Sequence, residues 1–278
     1  MEMKGDRLND KLDEVSSGIN FHRIKAVVVD IEGVIRDPKS FFHHAYEYAL
    51  SKAGVSLYAT PSETWKLRSF KELNSQREFL KALYCLGKKG IRPVQATWKK
   101  DPVSFVKEII EKVSPSEKTI DLIEKNYEEY ISNPNLMKRA QPIRAGKKAV
   151  KLLREEGYKV CAITNSYRKH IEPWLKQRKI NFDILICGDE IKEKKPSPDS
   201  LLKICSSLGI EPRETVYIGD TEVDILTAIN SNAIPLAVYS GGSEKKTLRK
   251  LGAKKIYENL MRFYLDLKKF REETEKKI

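Results

Sequence analysis

Four short runs in this chain carry side chains that a hydrophobic core does not need, and each comes after an apolar stretch. The first is Asp30-Ile31-Glu32-Gly33 and the second Thr164-Asn165-Ser166. The third is Lys194-Lys195-Pro196-Ser197-Pro198-Asp199, and the fourth Gly219-Asp220-Thr221-Glu222-Val223-Asp224. Taken singly, each fits an ordinary helix cap, turn or loop. Taken in order at the ends of strands, they bring several acids, one lysine and one hydroxyl to one edge. That set suits Mg²⁺ and a phosphoryl group, since carboxylates hold a hard cation while an ammonium and a hydroxyl take phosphoryl oxygens.

The elements that would position these groups are legible in the hydrophobic pattern. Val27-Val28-Val29, flanked by Ile24 and Ala26, reads as a strand buried on both faces. Asp30 then falls at its carboxyl end, where open α/β sheets bind their ligands, and Gly33 lets the chain turn. Beyond Pro142, helix and strand alternate. Strands are expected over 158–163, 182–187, 215–218, 234–239 and about 254–257. Helices are expected over 147–156, 167–179, 199–207, 222–231 and from 258 onward, with Pro173 bending or restarting the second. Such alternation predicts an α/β fold, a doubly wound parallel sheet with a Rossmann-like core.

Between Asp37 and Pro142 the pattern is helical, with helices over 102–113 and 116–131 opened by Asp101-Pro102 and Ser116. The chain thus divides into a catalytic core of 1–37 and 142–278 and an all-helical cap of 38–141, with 1–20 a short polar helix and linker. Trp65 and Trp98 read as helix-packing residues.

The formal charge of +13 is dispersed: residues 38–141 hold 18 Lys/Arg against 12 Asp/Glu, and 244–278 hold 12 against 6. Interleaved acids describe a solvated surface, so a nucleic-acid partner is not expected. No apolar run reaches membrane-spanning length and the N-terminus is polar, so no membrane partner and a cytoplasmic location are expected. Cys85, Cys161, Cys187 and Cys205 lack metal-ligand spacing and read as thiols, with Cys161 and Cys187 buried in strand-like runs.

With its four motifs in that order, the chain resembles the haloacid dehalogenase-like hydrolase superfamily over roughly residues 22–258. The resemblance is to its phosphoglycolate-phosphatase-like branch, with a helical cap inserted after the first motif. It implies a Mg²⁺-dependent phosphoric monoester hydrolase acting on a small phosphorylated metabolite. Asp30 would be the nucleophile that forms an aspartyl-phosphate. Thr164 and Asn165 would bind the phosphoryl group, and Lys195 would hold Asp30 and balance phosphoryl charge. Mg²⁺ would be held by Asp30, the Glu32 backbone carbonyl, Asp220 and Asp224. Glu32 would be the general acid and base, where family phosphatases usually carry Asp. Enolase-phosphatases resemble this chain at Asp30-Ile31-Glu32-Gly33.

Specificity would come from the cap, whose run Arg68–Arg77 interrupts helical periodicity. Lys71 and Asn74 in that run, and Arg36 beside the nucleophile, are the candidate substrate contacts. Two other readings stay open at this point: a phosphomutase that returns the phosphoryl group to its substrate, and a weakly catalytic binding protein or nucleic-acid-end phosphatase using the basic C-terminal helices.

Overall fold

The computed structural model describes residues 19–275 except 74, 138, 139, 144 and 240–242. The N-terminal helix expected within 1–20 therefore lies outside the described residues up to residue 18, as does Asn74. The strands are β1 (Ala26–Asp30), β2 (Lys159–Ile163), β3 (Leu185–Ile186), β4 (Thr215–Gly219), β5 (Ile234–Val238) and β6 (Lys255–Tyr257). They form one parallel sheet in the order β3-β2-β1-β4-β5-β6. The expectation of a doubly wound parallel sheet is met, and β1 lies at its centre, where the strand order reverses.

Both faces of the central strands are covered. Val27, Val29, Val160, Ala162, Val216 and Ile218 belong to the larger apolar cluster. Val28, Cys161, Ile163 and Tyr217 alternate with them and pack into a second cluster. This is the pleat of a strand with period 2, and it explains why the Val run needs no polar face. All four cysteines are free and buried, and burial pushes the Cys161 and Cys187 thiols up to about 12.

One strand is shorter than expected. β3 forms only over Leu185–Ile186, an edge strand paired with β2 alone, although Asp183 N and Ile184 O on its N-terminal side still bond to Val160 O and Ala162 N of β2. Helix Arg168–Arg178 runs through Pro173 without restarting. A helix at Lys245–Leu251, not marked by the sequence pattern, precedes β6.

Between β1 and β2 the chain is helical, with helices at Lys39–Lys52, Pro61–Arg68, Gln76–Lys88, Pro93–Thr97, Pro102–Val113 and Glu117–Ser132, and a short turn of helix at Pro134–Met137. Their starts are locally encoded. Thr60 and Glu63 form a capping box before Pro61, and Asp101 and Ser116 accept from the third helical N–H. The helices pack through aromatic side chains: Tyr46 stands edge-on to Phe79 and parallel to Tyr127, with centroids at 5.2 Å and 5.4 Å. Trp65 is buried in this cluster, whereas Trp98 is 73% exposed, so the packing role expected for Trp98 is not found. Among the described residues, no helix is long and apolar enough to cross a membrane.

Candidate active site

Sheet register brings the first, second and fourth motifs together. Asp30 lies opposite Ile163 of β2, so Thr164 follows one residue further along the neighbouring strand. Val29 lies opposite Ile218 of β4, which puts Asp220 one residue beyond Asp30 on the other side. Adjacent strands are about 4.8 Å apart, close enough for their side chains to share one ligand. Gly33 closes the turn after β1 at φ +78°, and a Cβ there would fall 2.2 Å from Asp220 Oδ2. No other residue admits so close an approach of chain to carboxylate.

Lys195 arrives from the loop after β3. Its backbone is clamped by the Asn165 side chain, which accepts from Lys195 N at 3.1 Å and donates to Lys195 O at 3.3 Å. Asn165, expected at the phosphoryl group, lines the cavity and holds the Lys195 backbone in place. Lys195 Nζ donates to Asp224 Oδ1 at 2.6 Å and stands 2.9 Å from Asp30 Oδ1. The second contact is an ion pair without hydrogen-bond alignment, since Asp30 Oδ1 has no hydrogen bond. Burial opposes the charge on Lys195, but Asp224 and Asp30 outweigh it and hold its pKa well above the ordinary value.

Asp224 is the most fully satisfied acid of the group. Oδ1 accepts from Lys195 and from the Tyr217 hydroxyl at 3.0 Å; Oδ2 accepts from Asp220 N, Thr221 N and the Thr221 hydroxyl. Burial raises its pKa, and Lys195 with Thr221 brings it below the ordinary value. Asp30 goes the other way. Burial pushes it well up, Lys195 pulls it down, and Asp224, Glu32 and Asp220 push it further up.

Glu32 occupies the opposite wall. Its Oε1 accepts from Arg36 Nη2 at 2.5 Å and from the Ser166 hydroxyl at 3.0 Å, and its Oε2 from the Thr164 hydroxyl at 2.8 Å. Burial raises the Glu32 pKa, but Arg36, Thr164 and Ser166 bring it below the ordinary value. Arg36, expected against substrate, is 1% exposed and is held between the rings of Phe42 and Trp174, 5.3 Å and 5.6 Å from their centroids. Its role here is to pair with Glu32. The Lys71 side chain and Asn74, the other expected contacts, lie outside the described residues.

Asp30, Asp220 and Asp224 present oxygens within 4.8 Å of one another. With Glu32, they set four buried carboxylates against the two buried cations Lys195 and Arg36. A buried excess of two negative charges is costly unless a cation compensates it. The donor set is all oxygen, so the residues fit a hard divalent ion. Sequence reasoning missed Ser166 and Tyr217 as members of this network. The Tyr217 hydroxyl, in an otherwise apolar strand, was the available sign, since a buried phenol needs a partner.

Comparison with known proteins bears on the fold and the kind of domain. Residues 104–238 match the family described as haloacid dehalogenase-like hydrolase. A stretch of 91 residues is 34% identical to pyrophosphatase PpaX of Bacillus cereus, covering 32% of this chain and 42% of that protein. Another of 84 residues is 32% identical to the phosphoglycolate phosphatase of Haemophilus influenzae, covering 30% of this chain and 38% of that one. The matched stretches thus span less than half the length of these curated relatives. Among solved structures, a predicted phosphoglycolate phosphatase from Haemophilus somnus superposes with a TM-score of 0.68 at 16% identity, covering 86% of this chain and 95% of that one. A haloacid dehalogenase superfamily hydrolase from Geobacter sulfurreducens superposes at 0.57 with 21% identity, covering 88% and 96%. At such identities the likeness is one of fold. Residues 104–238 are thus similar to haloacid dehalogenase-like hydrolases, and the proteins that the chain resembles include phosphoglycolate phosphatases.

Proposed function

We propose that this protein is a Mg²⁺-dependent phosphatase that hydrolyses a small phosphate monoester through an aspartyl-phosphate on Asp30. In this reading 1–37 with 142–278 form the catalytic core and 38–141 the cap. The observation that carries it is the convergence of Asp30, Thr164, Lys195 and Asp220 at the sheet's switch point, in a buried site with excess negative charge.

Asp30 attacks phosphorus, the ester P–O bond breaks, and the leaving oxygen takes a proton from the general acid. Water then attacks the aspartyl-phosphate, gives its proton to the same side chain acting as base, and restores Asp30 as inorganic phosphate leaves. Lys195 offsets charge on Asp30 and on the phosphoryl oxygens. Asp30 and Asp220, with the Glu32 backbone carbonyl, would hold the cation, with Asp224 a further ligand of the same cluster that also anchors Lys195. The bound Mg²⁺ supplies charge neutralisation between an anionic nucleophile and an anionic ester.

Glu32 is the acid/base residue of this scheme. Thr164 has one hydroxyl proton to donate, and it is directed at Glu32 Oε2. A phosphoryl oxygen that accepts that proton releases Glu32 from the bond, so substrate arrival and Glu32 movement are linked.

Asp30→Asn tests the reading. With Mg²⁺ and an aryl phosphate, phosphate release by the wild-type protein is expected to fall by about a thousandfold or more in the variant. An undiminished rate would remove Asp30 as nucleophile.

A further inference from the structure

The cavity at the strand ends continues among the helices that follow β1 and has a volume of about 600 Å³. This lies within the ~300–1,000 Å³ of sites that enclose drug-sized organic molecules. A two-carbon acid phosphate would fill a small part of it. Aromatic rings stand in the walls of the helical half, beside polar side chains such as Gln76 and Glu124. Phe42 and Trp65 stand near-parallel, 10° apart with centroids at 6.4 Å, and Tyr46 and Tyr127 stand 9° apart at 5.4 Å. All four line the cavity.

Two donors stand beside these rings. Trp65 is 8% exposed, and its indole N–H is buried with no acceptor. A buried donor left this way costs stability that a ligand's acceptor would recover. Arg68 also lines the cavity, with its guanidinium 4.9 Å from the Phe79 ring centroid. Among the described residues it meets no carboxylate, and it donates to the Ser75 carbonyl at 3.4 Å. By contrast Arg77, on the same lining, pairs with Glu117, Asp121 and Glu124.

We infer that the substrate is a phosphate monoester whose organic part carries a heteroaromatic ring with acceptors on its edge, a nucleoside 5′-monophosphate being the type. This rests on the phosphatase reading above and names its substrate class. A flat ring packs on the sides of Phe42, Trp65 and the tyrosines that their own mutual stacking leaves free, and turns its edge to the Trp65 N–H and the Arg68 guanidinium. An aliphatic chain would meet the rings without stacking and leave the Trp65 N–H without an acceptor. A short hydroxy acid would satisfy the donors and leave most of the aromatic surface unfilled.

The test is a phosphate-release panel with Mg²⁺, comparing nucleoside 5′-monophosphates and pyridoxal 5′-phosphate with 2-phosphoglycolate and glycerol 3-phosphate. A ring-bearing member is expected to exceed both acyclic esters in kcat/KM by about tenfold or more, the gain of roughly one good stacked contact plus one hydrogen bond. Equal or better turnover of the acyclic esters overturns the inference while leaving the phosphatase reading intact. If no ester is turned over, that reading fails, and calorimetric binding to wild-type protein with Mg²⁺ still decides the inference. Tighter binding of the ring-bearing phosphate supports it, and equal binding overturns it. Trp65→Phe keeps a ring and removes the N–H, so the ratio of ring-bearing to acyclic kcat/KM is expected to narrow about fivefold. An unchanged ratio in a folded variant rejects the N–H as a substrate contact, and Arg68→Met applies the same criterion to the guanidinium.

Discussion

The two halves of the cavity are built on opposite principles. At the strand ends, polar side chains answer one another: Lys195 with Asp30 and Asp224, Arg36 with Glu32, Tyr217 with Asp224. In the helical half five aromatic side chains share the lining with polar ones, and a buried indole N–H has no acceptor. Charge is handled in the first half by placing opposite charges in contact, so each group is constrained by its neighbours. In the second, stacked rings add shape to the pairing of Arg77 with Glu117, Asp121 and Glu124. The difference separates what must be common to any phosphoryl group from what distinguishes one ester from another.

If the contrast is real, the strand-end half should tolerate far less change. Asp30→Asn stands at the top of the scale. Next is Lys195→Met, which removes the cation between two buried carboxylates and is expected to lower kcat/KM by ~10²–10³-fold. It should also destabilise the fold by ~3–5 kcal/mol in the absence of added Mg²⁺, read by urea unfolding. Wild-type stability in that variant would show that the acids do not depend on Lys195.

Gly33→Ala probes geometry without altering charge. Its Cβ falls 2.2 Å from Asp220 Oδ2, at a backbone φ of +78°. A displacement of about 1 Å at Asp220 is expected to cost ~10²-fold in kcat, with a weaker apparent affinity for Mg²⁺ in titrated activity. Full activity would mean that the turn and Asp220 relax independently.

Substitutions in the helical half should act on which ester is used, as Trp65→Phe does. The smallest effect is expected where that half touches the sheet. Glu128, on helix Glu117–Ser132, pairs with Lys169 and His170 of helix Arg168–Arg178 at 3.2 Å and 3.3 Å. Its pKa is lowered chiefly by the hydrogen bond to His170. A lowered carboxyl stabilises the fold above its ordinary value of 4.5 and ceases to do so as pH falls through the lower folded value. Glu128→Gln is therefore expected to cost no more than ~0.5 kcal/mol at neutral pH, the pair being half-exposed. The gap from wild type should close below pH 4.5, followed by thermal melts across pH. A gap that widened in acid would reverse the sign.

Much of the strand-end half was legible in the chain itself. A run of Val followed by Asp marks a buried strand and its end, and alternation with helices makes the strands parallel, so their carboxyl ends share an edge. Asp30, Thr164, Lys195 and Asp220 could be named on those grounds. Asn165 and Arg36 could not be given their roles, because an amide or guanidinium beside a motif looks the same whether it faces ligand or protein. The helical half was least legible: amphipathic periodicity shows that Trp65 and Tyr46 turn inward, but not whether a neighbouring helix or a cavity meets them.

The strands, their order along the chain and the polar residues at their ends follow from local pattern, since burial and turn chemistry act over a few residues. Which partner each of those residues faces depends on long-range register. Thr164 donates to Glu32 across 132 positions, and Lys195 to Asp224 across 29. Glu32 reads in the chain as an acid two residues after the nucleophile. In the folded protein it is a carboxylate held by Arg36, Thr164 and Ser166, because the Gly33 turn and the β1–β2 register bring those three donors to its two oxygens.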